Sequence, residues 1–164
     1  MNKKIPLTQG KFAIVDNEDH EWLSQWGWYY SRTGKTGYAK RNVWLKGKRT
    51  QLFMHRLILD PAKDILTDHV NGNSLDNRRE NLRECSRKEN ARNSHRYKRN
   101  TSGYMGASFH KGCRKWRAHI VVDGKQLHQG YFDDLEQAAH AYDAAALELH
   151  GEFATLNFPQ EKRP

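Results

Sequence analysis

Apolar and polar positions along the first fifty residues fall in short runs, not at helical spacing. Residues 12–16 (FAIVD) are an apolar run, 26–30 (WGWYY) an aromatic one, and 37–45 (GYAKRNVWL) alternate, so strands are expected at all three. Gly34, Gly37 and Gly47 are expected to mark the turns between them. Residues 19–23 suit one or two helical turns. Residues 51–60 (QLFMHRLILD) end before Pro61 and fit a strand or a short helix equally well. Residues 65–70 (ILTDHV) then read as a strand, 71–77 (NGNSLDN) as a loop and 78–84 (RRENLRE) as a returning strand. Ser86 with Glu89 three residues later forms a capping box, so a helix carrying Asn90 is expected to start near residue 87. Three strands are expected within 103–132, with Asp123 and Gly124 turning the last hairpin. Leu135, Ala138, Ala139, Tyr142, Ala145, Ala146 and Leu149 keep helical spacing across 134–150, between an Asp134 cap and Gly151. The expected fold class is α+β. A strand-rich region (1–50) precedes a strand–loop–strand–helix core (51–93), a basic linker (94–102) and a three-stranded antiparallel sheet packed on one helix (103–159).

Charge changes this picture by pointing to a partner. The chain of 164 residues carries a net charge of +9, and residues 83–117 hold eleven Lys and Arg against two acids. Residues 1–50 are also basic, and 118–164 are acidic. A solvated helix face normally mixes signs, so a basic block of this density reads as a phosphate-contacting surface. Nucleic acid is the leading candidate partner on charge, with double-stranded DNA the partner that the resemblances given below imply, and no membrane and no obligate protein partner are evident. No stretch approaches the roughly 20 apolar residues of a span, and the start of the chain lacks the apolar run of a secretory signal. Two cysteines, Cys85 and Cys113, cannot build a disulfide framework or a four-cysteine zinc site, so a reducing cytoplasm is expected.

The candidate chemistry lies between residues 67 and 90. Phosphodiester hydrolysis needs a base for water and a hard cation for the charge that builds on phosphate and leaving oxygen. Asp68 and Asn90 can supply oxygens of the kind Mg²⁺ takes. His69 titrates near neutrality and can serve as the base, while an amide such as Asn81 can fix its tautomer. Taken singly, an Asp-His pair is usually a surface turn and Asn90 a solvated helix residue. Their joint order and spacing reverse that reading.

Asp68 and His69, the Asn/Gly/Asp loop, Asn81 in Glu80-Asn81-Leu82, Asn90 and the lead-in Met54-His55-Arg56-Leu57 together resemble the HNH nuclease family and its ββα-metal motif. The resemblance covers about residues 51–93. It implies His69 as general base, Asp68 and Asn90 as ligands of Mg²⁺ or Mn²⁺, and Asn81 as the residue orienting His69. His55 is expected to pack or hydrogen-bond behind the site. The family letters end in His where this chain has Asn90, as in homing-type members. This assignment requires Asp68 and Asn90 to meet around one ion and the His69 ring to face it, not the interior.

Residues 103–158 resemble a second family, the plant ethylene-response-factor or Apetala-type DNA-binding domain. The matching residues include Tyr104, Gly106, Lys115-Trp116, Ala118, Ile120, Gly130, Phe132, Ala138-Ala139, Tyr142-Asp143 and Leu156-Asn157-Phe158-Pro159. The resemblance implies a sheet laid in the DNA major groove with the helix behind it. Where the plant pattern has base-reading residues, this chain has Ser108, His110, Gln126 and His128. Lys111, Arg114, Lys115, Arg117 and Lys125 are expected on the DNA side, joined by Arg92, Arg96, Lys98 and Arg99 in and beside the linker. Arg41, Lys46, Lys48 and Arg49 are further candidates for phosphate contact. The whole reads as a site-specific DNA endonuclease of the homing type. Its rivals are a non-catalytic, sequence-specific DNA-binding regulator with a vestigial HNH part, an RNA-directed protein and a nonspecific polyanion binder.

Overall fold

The computed structural model describes residues 1–34, 36–92 and 101–159. They divide into two units, Met1–Asn90 and Ala91–Pro164. All strand pairs between named strands are antiparallel, so the fold is α+β. Among the described residues no helix is long and apolar enough to cross a membrane.

The first unit opens with a strand that the polar-looking start of the chain does not announce. β1 (Asn2–Pro6) pairs with β2 (Phe12–Asp16), the FAIVD run. Only Ile5 on β1 is buried, so a single inward side chain carries its hydrophobic signal. α1 (Asn17–Leu23) follows directly. β3 (Tyr29–Thr33), β4 (Thr36–Leu45) and β5 (Lys48–Phe53) form a meander. The aromatic run therefore starts its strand late. Trp28 turns inward at the corner and donates its indole N–H to the Leu23 carbonyl at 2.9 Å. Gly47 lies in a turn with φ +75°, but Gly37 sits inside β4. A Cβ there would come within 2.2 Å of the Tyr30 ring, so the glycine serves close approach and not a turn.

Residues 51–60, ambiguous in sequence, are both things. β5 ends at Phe53, and α2 (Met54–Leu59) begins at the next residue with Met54, His55 and Ile58 buried. β6 (Leu66–His69) and β7 (Leu82–Cys85) form the next hairpin, and α3 (Arg87–Arg92) follows. The capping box is formed: Ser86 N–H and Oγ–H donate to Glu89 Oε2 at 2.8 and 2.7 Å, and Glu89 N–H donates to Ser86 Oγ at 3.2 Å. Regions 1–50 and 51–93, distinct in sequence, share one core of Ile5, Val15, Leu23, Trp28, Met54, Ile58 and Leu82 among others. Each fully buried side chain of this size contributes roughly 1.5–3 kcal/mol.

The second unit follows its sequence pattern closely. β8 (Ala107–His110), β9 (Lys115–Val122) and β10 (Lys125–Phe132) form a sheet with β9 central, and α4 (Leu135–His150) covers one face. Asp134 accepts from Gln137 N–H at 3.0 Å to start that helix. Asp123 and Gly124 both have positive φ, as a type I′ hairpin turn needs. Ala107, Ala118 and Ala138 make one small core cluster, and Ile120, Ala145 and Ala146 a second. Gly106 has φ +67° and lies against Tyr142, where a Cβ would fall 1.9 Å from the ring. The buried Asp143 carboxylate accepts from Asn157 N–H (2.8 Å), Phe158 N–H (2.8 Å) and the Asn157 amide (3.1 Å). Asn157 in turn bonds both backbone groups of Met105. Two distant motif fragments are thus one polar tie that closes the unit.

Candidate active site

Asp68 and His69 end β6, a strand short enough that its last residues open into the 70–81 loop. Across the hairpin Asp68 pairs with Arg83 and His69 with Leu82. The Arg83 guanidinium donates to Asp68 Oδ2 through Nε at 3.1 Å and Nη2 at 2.8 Å. Both residues are largely enclosed. A buried carboxylate needs such a partner.

The loop is held by its own polar residues. Asp76, 3% exposed, accepts from Arg78 Nε and Nη2 at 2.8 and 2.7 Å and from the Asn71 amide at 3.0 Å. The Arg78 contact holds the Asp76 carboxyl below its ordinary range. Arg79 grips the first helix: its Nε and Nη2 meet Asp19 at 2.8 Å each, and its N–H donates to Asp16 at 2.7 Å. On the other side of the loop, Ile14 N–H donates to Leu75 O at 2.8 Å and Asn77 N–H donates to Ile14 O at 2.7 Å. The chain's second strand therefore grips the loop on both sides of Asp76.

The His69 ring is more enclosed than the sequence reading assumed. The residue is 6% exposed, with His55 edge-on at 5.1 Å between ring centroids and Tyr38 at 6.3 Å. Its Nε2 lies 3.4 Å from Asn77 Oδ1. Asn81 does not take the orienting position expected of it. Its Oδ1 accepts from Asn71 N–H at 2.9 Å, and its Nδ2 donates to Asp76 O at 2.7 Å, so it pins the loop. The residue at the imidazole is Asn77, wholly buried and assigned no role in sequence, where it reads as one more turn-forming asparagine. Burial pushes His69 below its ordinary value, partly offset by the Asn77 contact and the Asp68 and Asp76 carboxylates. His55 is pushed down to about 3 by burial and by the neighbouring His69, Arg56 and Lys40. Its ring lies against that of His69, and its buried Nδ1 has no hydrogen-bond partner.

Asn90 is exposed on α3, one residue past the capping Glu89. Asp68 and Asn90 are hard oxygen donors, and among the described residues no three His, Cys, Asp or Glu side chains cluster as a metal cage. A donor set of one carboxylate and one amide suits Mg²⁺, which keeps its remaining positions for water and phosphate. In kind these two side chains suit that ion, with Asp68 buried against Arg83 and Asn90 exposed on α3.

The remaining predicted contacts divide. Lys115 and Arg117 lie on the open face of the second unit's sheet, the parity opposite Trp116, Ala118 and Ile120, which pack under the helix. Lys111 and Arg114 are exposed in the β8–β9 turn. Lys125 pairs with Val122, which packs on the helix side, so it belongs to the opposite face from Arg117. Lys115 also pairs with Asp133 at 3.1 Å. Arg41 is stacked over the Trp26 ring at 4.0 Å. Arg96, Lys98 and Arg99, most of the 94–102 linker and the side chain of Arg92 lie outside the described residues.

A histidine beside a carboxylate at a strand end, a clamped Asn-rich loop, a return strand and a capped helix with an asparagine define an HNH-type nuclease region. Residues 62–92 match the family model for HNH endonucleases. The chain belongs to that family. It is 32% identical over 156 residues to a mimivirus (Acanthamoeba polyphaga) protein named "Uncharacterized HNH endonuclease L560", across 91% of this chain and 76% of that one. It is 40% identical over 92 residues to "Protein 3.8" of Escherichia phage T7, across 56% of this chain and 75% of that one. A 58-residue stretch is 41% identical to "APETALA2-like protein 2" of rice, covering 35% of this chain and 13% of the plant protein.

Proposed function

We propose that this nuclease is a site-specific DNA endonuclease of the homing type, hydrolysing a phosphodiester with His69 as general base. The observation that carries the reading is the buried imidazole held against Asn77, with the Asp68 carboxylate among the charges that act on it. With Asn77 Oδ1 facing Nε2, the neutral ring keeps its proton there and Nδ1 is the basic nitrogen. Burial favours the neutral form that can accept a proton from water. Asp68 and Asn90 would hold Mg²⁺ or Mn²⁺, which when bound stabilises charge on the phosphate and on the departing 3′ oxygen. Asn81, Asp76 and Arg78 keep the loop in one shape, and Arg83 holds the Asp68 carboxylate in place. The products would be a 5′-phosphate and a 3′-hydroxyl.

The second unit would act as an Apetala-type reader of duplex DNA. Its likeness to the plant protein, the three-stranded sheet and the basic residues on the open face and adjoining turn support this. A linked reader raises occupancy at chosen sites for a nuclease motif that supplies little sequence choice itself.

Plasmid nicking with Mg²⁺ or Mn²⁺, with an EDTA control, tests the reading. His69→Ala is expected to lower cleavage by about 10²–10⁴-fold with duplex binding kept. Unchanged cleavage would remove His69 from the mechanism. Binding without any nicking by the wild-type chain would leave the regulator with a vestigial nuclease.

A further inference from the structure

Residues 22–59 contain no Asp or Glu, yet carry Arg32, Lys35, Lys40, Arg41, Lys46, Lys48, Arg49 and Arg56. Most of this acid-free stretch is the β3–β4–β5 sheet, one face of which begins at the candidate active site. Tyr38 on β4 lies 5.4 Å from the His55 ring and 6.3 Å from the His69 ring. Lys40, Asn42 and Trp44 follow on the same parity, paired with Phe53, Gln51 and Arg49 of β5. Lys40 lies over Phe53 at 4.5 Å, and Asn42 accepts from Tyr29 Oη at 3.0 Å. The row ends at Trp44, 74% exposed, beside Leu45, 53% exposed. The hairpin tip, Lys46 and Gly47, has two positive φ values, the tight turn that twists with its strands. Trp44 and Leu45 together make a contiguous apolar patch at the hairpin tip, the kind of exposed surface that marks a binding site when rimmed by polar residues. Its cationic, acid-free setting selects a polyanion with flat apolar faces.

We propose that the β4–β5 hairpin is a second DNA-gripping element of the nuclease unit. In it Trp44 stacks on nucleobases of the duplex while Lys46, Lys48 and Arg49 hold the flanking phosphates. The proposal rests on the nuclease reading above. Six residues separate Tyr38 from Trp44, roughly 20 Å along a strand. For a duplex running along this strand, that distance corresponds to about six base pairs between the bases at Trp44 and the DNA at the Tyr38 end, at roughly 3.4 Å per base pair. Insertion of an apolar side chain between base steps unstacks and partly unwinds them.

The test uses the full chain in EDTA, which blocks cleavage. Anisotropy reads affinity for a 40-base-pair duplex. Relaxation of a closed plasmid by a metal-independent topoisomerase reads unwinding without knowledge of the target. Trp44→Ala is expected to weaken binding about ten-fold or more and to abolish the change in linking number, with Trp44→Phe retaining most of both. Lys46→Gln with Lys48→Gln is expected to flatten the salt dependence by about two phosphate contacts. Wild-type affinity and unwinding in Trp44→Ala would overturn the proposal and leave the nuclease reading standing. So would a wild-type chain that binds without unwinding, or a Trp44→Ala chain whose only change is loss of self-association in sedimentation. A wild-type chain that neither binds duplex DNA nor nicks it with metal present would remove the nuclease reading as well.

Discussion

Asn77 shows how much a single amide can decide at this site. Its Oδ1 faces His69 Nε2, its N–H is bonded to Ile14, and its Nδ2 donates to the Leu75 carbonyl at 3.1 Å. Asn77→Ala would leave the imidazole without that partner and the Leu75 carbonyl with the Ile14 N–H alone. Cleavage is expected to fall well below wild type with duplex affinity kept, and stability by about 1–3 kcal/mol in urea titrations. Asn81→Ala is expected to cost a similar stability through the loop. His55 gives a pH signature. Its ring is neutral in the fold down to about pH 3, while an unfolded histidine protonates near 6.5. The unfolded chain therefore binds the extra proton between those values, and stability falls as pH drops through that window, by at most about 1.4 kcal/mol per pH unit from this ring. Urea midpoints measured from pH 7 to pH 4 check this, and His55→Asn should flatten the slope. The two thiols should also separate. Cys113 is exposed, whereas Cys85 is buried and pushed up to about 11 by burial and the Asp68 carboxylate. A maleimide is expected to label one cysteine per native chain and two per denatured chain.

Elements were legible where one signal sufficed. The Asp134-capped helix with its alanine face, the Asp123-Gly124 hairpin and the Ser86–Glu89 box each declare themselves within a few residues, and each formed. β1 was not legible, because NKKIP buries one side chain and owes its strand conformation to β2. The aromatic run misplaced its strand because tertiary packing draws Trp28 into the core. Tyr38, Arg83 and Asn77 were missed for a related reason: their contacts cross strands or loops, and spacing along the chain carries no trace of them. The tie between Asp143 and Asn157 was visible only as letters of a motif. As structure it is a buried carboxylate saturated by backbone and amide donors. Asp143→Ala is expected to destabilise the second unit by about 2–4 kcal/mol, read as an earlier thermal transition by circular dichroism.

The whole molecule joins two different economies of stability. The first unit has one continuous core that runs from Ile5 through Leu82. The second relies on alanines packed closely under a sheet and on polar ties at its seams. Charge does not follow that division: the block 83–117, with eleven basic residues and two acids, spans the boundary between the units, and an acidic remainder follows it. Removing residues 1–16 is expected to abolish nicking and to remove the cooperative unfolding of the first unit, since Ile5, Leu7, Ala13 and Val15 leave its core together. The backbone clasp of Ile14 around residues 75–77 gives that deletion a further meaning. The family match starts at residue 62. A shortened gene product beginning after β2 would keep every letter by which the nuclease is recognised and lose the strand that props its histidine's partner upright. A genomic survey that counts intact motifs would score such a relic as a working enzyme.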